Sequence, residues 1–177
     1  MPSAREIKKQ QEEALASLPV NTLFIILKNR DDPPQKDDFH WGYYFHTHAA
    51  GGIKYHATNI VDNWIGDHGP TGGVMKSLFL CAMVQIADIP PQAHAKLDEI
   101  MRSYDSSLND YIISLPGPTC RTWLMEVMKR LVDAGLVQCK GTVDELQEEC
   151  LEIGNRFSAE TSENKQPRPA IKSKLCY

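Results

Sequence analysis

From Phe39 to Phe45 the chain alternates. Phe39, Trp41, Tyr43 and Phe45 fall on one face, and His40, Gly42, Tyr44 and His46 on the other. That period of two predicts a strand with an aromatic core face. Upstream, Val20 to Leu27 is a short apolar run of β-formers closed by Lys28-Asn29-Arg30, which predicts a buried strand. Asp31 to Asp38, with two prolines and four aspartates, is a loop. Downstream, Ala49-Ala50-Gly51-Gly52 offers a turn, and Ile53 to Ile60 alternates again as the return strand of a hairpin. Gly66 to Gly73 is glycine-rich and predicts a loop. Met75 to Ile86 predicts a further strand, with a helix as the alternative.

A helical period takes over after Ile89-Pro90-Pro91. Pro91 to Tyr104 places Ala93, Leu97, Ile100 and Met101 on one side, with Pro91 near the first turn. Asp105 to Gly117 is irregular. Thr119 to Ala134 repeats Trp123, Leu124, Val127, Met128, Leu131 and Val132 at helical spacing, and Gly135 suits the C′ position. Thr142 to Phe157 is a last amphipathic helix, with Thr142 and Glu145 spaced as a capping box. Ala4 to Ser17 also has helical composition. Strands followed by helices predict an α+β fold, with an antiparallel sheet packed against helices.

A chain of 177 residues with 42% hydrophobic content buries one core without metal or disulfide support. The pattern divides it into an N-terminal extension (1–18), a single domain (19–160) and a flexible tail (161–177). A net charge of −4 argues against sequence-independent binding of nucleic acid or of anionic membranes. No apolar run is long enough to span a membrane, and residues 1–17 lack the apolar stretch of a secretory signal. Cysteines stand at positions 81, 120, 139, 150 and 176, with no Cys-x-x-Cys pair. Together these features point to a reducing, cytoplasmic setting. Neither a P-loop nor a dinucleotide glycine pattern is present, and no cofactor is expected.

Three positions combine into chemistry. His40 and His56 lie on neighbouring strands of one hairpin, where opposed side chains sit about 5 Å apart at Cβ. One ring can orient the other through a ring N–H. Cys120 follows Pro116-Gly117-Pro118 and Thr119, which stop one segment and cap the next, so it begins a helix. Helix N-termini stabilise anions and supply free backbone N–H groups, the needs of a nucleophilic thiol and of an oxyanion hole. The bland counterpart is a small buried cysteine and a surface histidine pair. His46-Thr47-His48, with His40 and His56, offers a zinc or iron site as a lesser alternative, a solvated turn being favoured.

The segments His40-Trp41-Gly42-Tyr43-Tyr44 and Tyr55-His56-Ala57, split by the Gly51-Gly52 turn, resemble the two histidine strands of lecithin:retinol acyltransferase-like proteins. The chain also resembles, over about Leu23 to Phe157, an uncharacterised family of small fungal proteins with a Cys-x-Thr-Trp helix start, here Cys120-Arg121-Thr122-Trp123. The first resemblance implies a permuted papain-like fold. In it Cys120 is the nucleophile, His40 the base and His56 the orienting group, with Asn59 the competitor for that last role. Arg121, Trp41, Tyr44 and Asn59 are the substrate-contact candidates. The implied activity is acyl transfer or hydrolysis through a thioester on a small-molecule or acyl-carrier substrate. One variant is an aminoacyl donor, such as an aminoacyl-tRNA, giving a small peptide product in secondary metabolism. The rival is a non-catalytic binding module with a degenerate site. Where acyltransferases continue Glu-His-Phe after the cysteine, this chain has Arg121-Thr122-Trp123.

Overall fold

The computed structural model describes residues 2–113 and 119–177. The fold is α+β. A six-stranded sheet runs β4-β3-β2-β1-β5-β6. Its strands are β1 (Thr22–Asn29), β2 (Phe39–His48), β3 (Gly51–Ile60), β4 (Asn63–Thr71), β5 (Leu80–Asp88) and β6 (Ala170–Lys172). All neighbours are antiparallel except β5 and β6, which run parallel. The helices are α1 (Ala4–Ser17), α2 (His94–Met101), α3 (Leu108–Ile113), α4 (Cys120–Asp133) and α5 (Val143–Ser162).

The two faces of the sheet are covered differently. Leu23, Ile25 and Leu27 of β1, the aromatic face of β2, and Tyr55 and Ala57 of β3 pack with α4, α5 and α2 in the main core. The opposite face carries Phe24, Ile26, Tyr44, Leu80 and Met83, and here Leu15 and Leu18 of the α1 region cover it with Val74 and Met75. Residues 1–18 are therefore not a loose extension: they contribute one wall of a second apolar cluster.

Three further expectations change. The glycine-rich stretch 66–73 is largely strand β4, not loop. As the edge strand it tolerates Pro70, whose missing N–H costs nothing on an open side. A two-residue turn at Val61 and Asp62, both with positive φ, sets its register. The strand expected from Met75 begins only at Leu80, because Val74–Lys76 forms a 3-10 turn. The tail is also ordered. The last helix runs on to Ser162, β6 joins the sheet, and Cys139 and Cys176 form a disulfide, leaving Cys81, Cys120 and Cys150 as free thiols. Arg168 is 4% exposed and donates to the carbonyls of Lys165, Leu78 and Thr161, fastening the segment to the body. Among the described residues, no helix is long and apolar enough to cross a membrane.

Candidate active site

Cys120 is the first residue of α4. Thr119, in extended conformation, caps the helix by accepting from the Thr122 N–H. The Pro116-Gly117-Pro118 lead-in lies outside the described residues. Apolar positions of α4, among them Trp123, Leu124 and Val127, are buried in the main core, and the helix packs on β2 and β3. This carries the sulfur to the edge of β2. Pairing between β2 and β3 ends at Tyr43 and Tyr55, so the Trp41 N–H is outside that ladder. It donates to Cys120 Sγ at 3.3 Å. Arg30, just past the end of β1, donates from Nη2 to the same sulfur at 3.2 Å and from Nε to the Phe39 carbonyl at 3.1 Å. Two N–H donors, one of them cationic, therefore point at the sulfur, and both favour negative charge on it.

His40 and His56 meet on the other face of the sheet. Continuing the register beyond the Tyr43–Tyr55 pair puts His56 across from Gly42, one step diagonal to His40. Position 42 is tight: a Cβ there would stand 3.2 Å from His56 Cβ and 3.1 Å from the Tyr55 carbonyl oxygen. The glycine leaves the ring of His56 free to lean across β2. His40 Nε2 and His56 Nδ1 are 2.7 Å apart, and His56 Nε2 is 2.9 Å from Asp67 Oδ2 on β4. The carboxylate can only accept, so His56 carries its proton on Nε2 and accepts at Nδ1 from His40 Nε2–H. The lone pair of the chain then sits on His40 Nδ1, which has no hydrogen-bond partner among the described residues. A second pair supports the first. His68 Nδ1 accepts the His56 backbone N–H at 3.2 Å, and its Nε2–H donates to Asp105 at 3.0 Å. Neither Asp67 nor His68 was singled out by pattern.

Thiol and imidazole are thus placed close to one another but not bonded. No hydrogen bond joins Cys120 to His40 or His56 among the described residues. Alternation along β2 is the reason: His40 projects from the face opposite Trp41. The sulfur nevertheless lies against the N–H one peptide bond after His40, which puts it within about 6 Å of the His40 Cα. Of the substrate-contact candidates, Trp41 and Arg121 line a cleft of about 180 Å³ with Arg30, Asp38, Phe39 and Thr119. Tyr44 and Asn59 are elsewhere. Tyr44 is buried against α1 and bonds His46 Nδ1 at 2.9 Å, and Asn59 is exposed opposite Trp64. His46 and His48 lie at the far end of β2 from His40, and His48 Nδ1 accepts from the Ala50 N–H. Among the described residues, no three His, Cys, Asp or Glu side chains are grouped to hold a metal ion.

Burial, then the charges of His56, Arg30, Lys28 and Lys54, push His40 down to about 4. Burial and Lys54 also lower His56, against the opposing pull of Asp67. Both rings are therefore neutral at pH 7. An unfolded histidine binds its proton near pH 6.5. Between pH 6.5 and about 4 the unfolded chain holds more protons than the folded one, so stability falls as the pH drops through that window. Chemical denaturation across this range should show that loss, and a His40→Gln variant should show less of it.

No curated protein and no solved structure matches this chain. A family model does match residues 26–138, a span that includes His40, His56, Asp67 and Cys120. The chain belongs to that family, described as a family of unknown function, DUF6540.

Proposed function

We propose that the protein carries out cysteine-dependent acyl transfer or hydrolysis, on a permuted papain-like arrangement of two histidine strands followed by a cysteine at a helix start. The observation that carries this is the double N–H hold on Cys120 Sγ beside an Asp67–His56–His40 chain that ends in a free Nδ1. The mechanism requires the His40 ring to turn so that Nδ1 reaches the sulfur held at the Trp41 N–H. The ring takes the thiol proton, the thiolate attacks the acyl carbonyl, and the leaving group departs with a proton from His40. Water, an amine or an alcohol then attacks the thioester and regenerates the thiol. Free N–H groups of the first turn of α4 are available to the oxyanion.

The test is intact-mass measurement after mixing with an activated ester such as p-nitrophenyl acetate. A single acetyl group on Cys120 is expected, released by hydroxylamine. Arg30→Met should slow iodoacetamide labelling of Cys120 about tenfold, because the sulfur loses its cationic donor. Equal labelling rates would remove Arg30 from the mechanism.

One observation favours a second reading, a binding module. Cys120 is 1% exposed and bonds neither imidazole. On that reading Cys120 labels no faster than the buried Cys81, and no acetyl group is trapped.

A further inference from the structure

Beside the histidine pair the same sheet face gathers positive charge. Lys28 is the register partner of His40, and Lys54 lies on the same face of β3 as His56. Lys54 is near enough to lower Lys28, His40 and His56. Neither lysine forms an ion pair among the described residues. The carboxylate that senses Lys54 is Asp67, and its bonded oxygen is committed to His56. Arg30, which also acts on His40, is paired with Asp38 at 3.4 Å. In a chain of net charge −4 this is a local reversal of sign. Lys28 is half-buried, and burial is the main cause of its lowered pKa. A cation partly withdrawn from water without a counter-ion is costly, and the cost is offset when an anion arrives.

We propose that Lys28 and Lys54 form an anion subsite next to His40, and that it receives a phosphate group of the substrate. A dianion matches two unpaired ammonium groups, whereas a single carboxylate neutralises one. As a statement about the acyl substrate, this rests on the thioester reading above. As an anion site it stands apart from it.

The probe is inorganic phosphate, with acetate as the comparison. The His40 and His56 rings are followed by NMR as pH and anion concentration are varied. Charged groups facing His40 are Lys28 on β1, Arg30 after it, His56 and Lys54 on β3, and Asp67 on β4. At pH 8, where inorganic phosphate is mostly the dianion and acetate is fully ionised, saturating phosphate should shift both ring signals. The shift should be lost in Lys28→Met and in Lys54→Gln, and kept in Cys120→Ser. Lys54→Gln, at a half-exposed position, supplies the answer where Lys28→Met fails to fold. Phosphate that moves neither ring overturns the proposal, as does a shift undiminished in both lysine variants, or acetate binding as tightly as phosphate. A phosphate effect without acetyl trapping on Cys120 keeps the subsite and removes the acyl chemistry. Acetyl trapping without a phosphate effect does the reverse.

Discussion

Replacing Cys120 by serine is expected to lower kcat/KM toward an activated ester by at least about a thousandfold, with the fold intact. The serine oxygen still accepts from the Trp41 N–H and Arg30 Nη2, so neither donor is stranded. What goes is the polarisable sulfur, which carries negative charge more readily than an alcohol oxygen and leaves more readily when the thioester is cleaved. Alanine is the harsher change, since it leaves a guanidinium nitrogen and a strand N–H without their acceptor. The useful comparison is therefore serine against wild type, with thermal melting to verify the fold and intact mass to verify loss of the acetyl adduct. Turnover retained in the serine variant would take the thioester out of the mechanism.

The parts of this site that could be read from sequence are those fixed by short-range patterns. Alternation through Phe39, Trp41, Tyr43 and Phe45 gave β2 its buried aromatic face, and the same alternation placed His40 on the other side. Thr119 and the apolar repeat of α4 located Cys120 at a helix start. Alternation also sets the direction of His40: a histidine next to a core tryptophan points away from the helix that covers that tryptophan. Arg30 and Asp67 were not legible, because each reaches the site through a pairing set far along the chain. Asp67 meets His56 only through the register that the Val61-Asp62 turn imposes on β3 and β4. The order of residues 161–177 was equally hidden. It depends on parallel pairing with β5, on the Cys139–Cys176 disulfide and on the burial of Arg168, none of which leaves a local period. Helix α1 buries only Gln11 and Leu15, too sparse a stripe to announce that it covers a sheet face.

Replacing His40 by glutamine is expected to cost about 10²–10⁴ in kcat, the usual contribution of a positioned general base. Glutamine keeps a polar side chain against His56 but has no basic nitrogen, so the thiol proton has nowhere to go. The pH profile separates this from a structural effect. With His40 near 4, wild-type activity should persist well below the pH at which an ordinary histidine is protonated, its acid limb following the ring. In the glutamine variant that limb should disappear. Asp67→Ala should cost less. It removes the anchor that fixes the proton on His56 Nε2, while His40 Nδ1 keeps its basic lone pair. The expected signature is a lower kcat at unchanged KM, since Asp67 acts through two rings and not on the substrate. If both variants raise KM and leave kcat alone, the histidine chain is a binding surface and the proton is taken elsewhere.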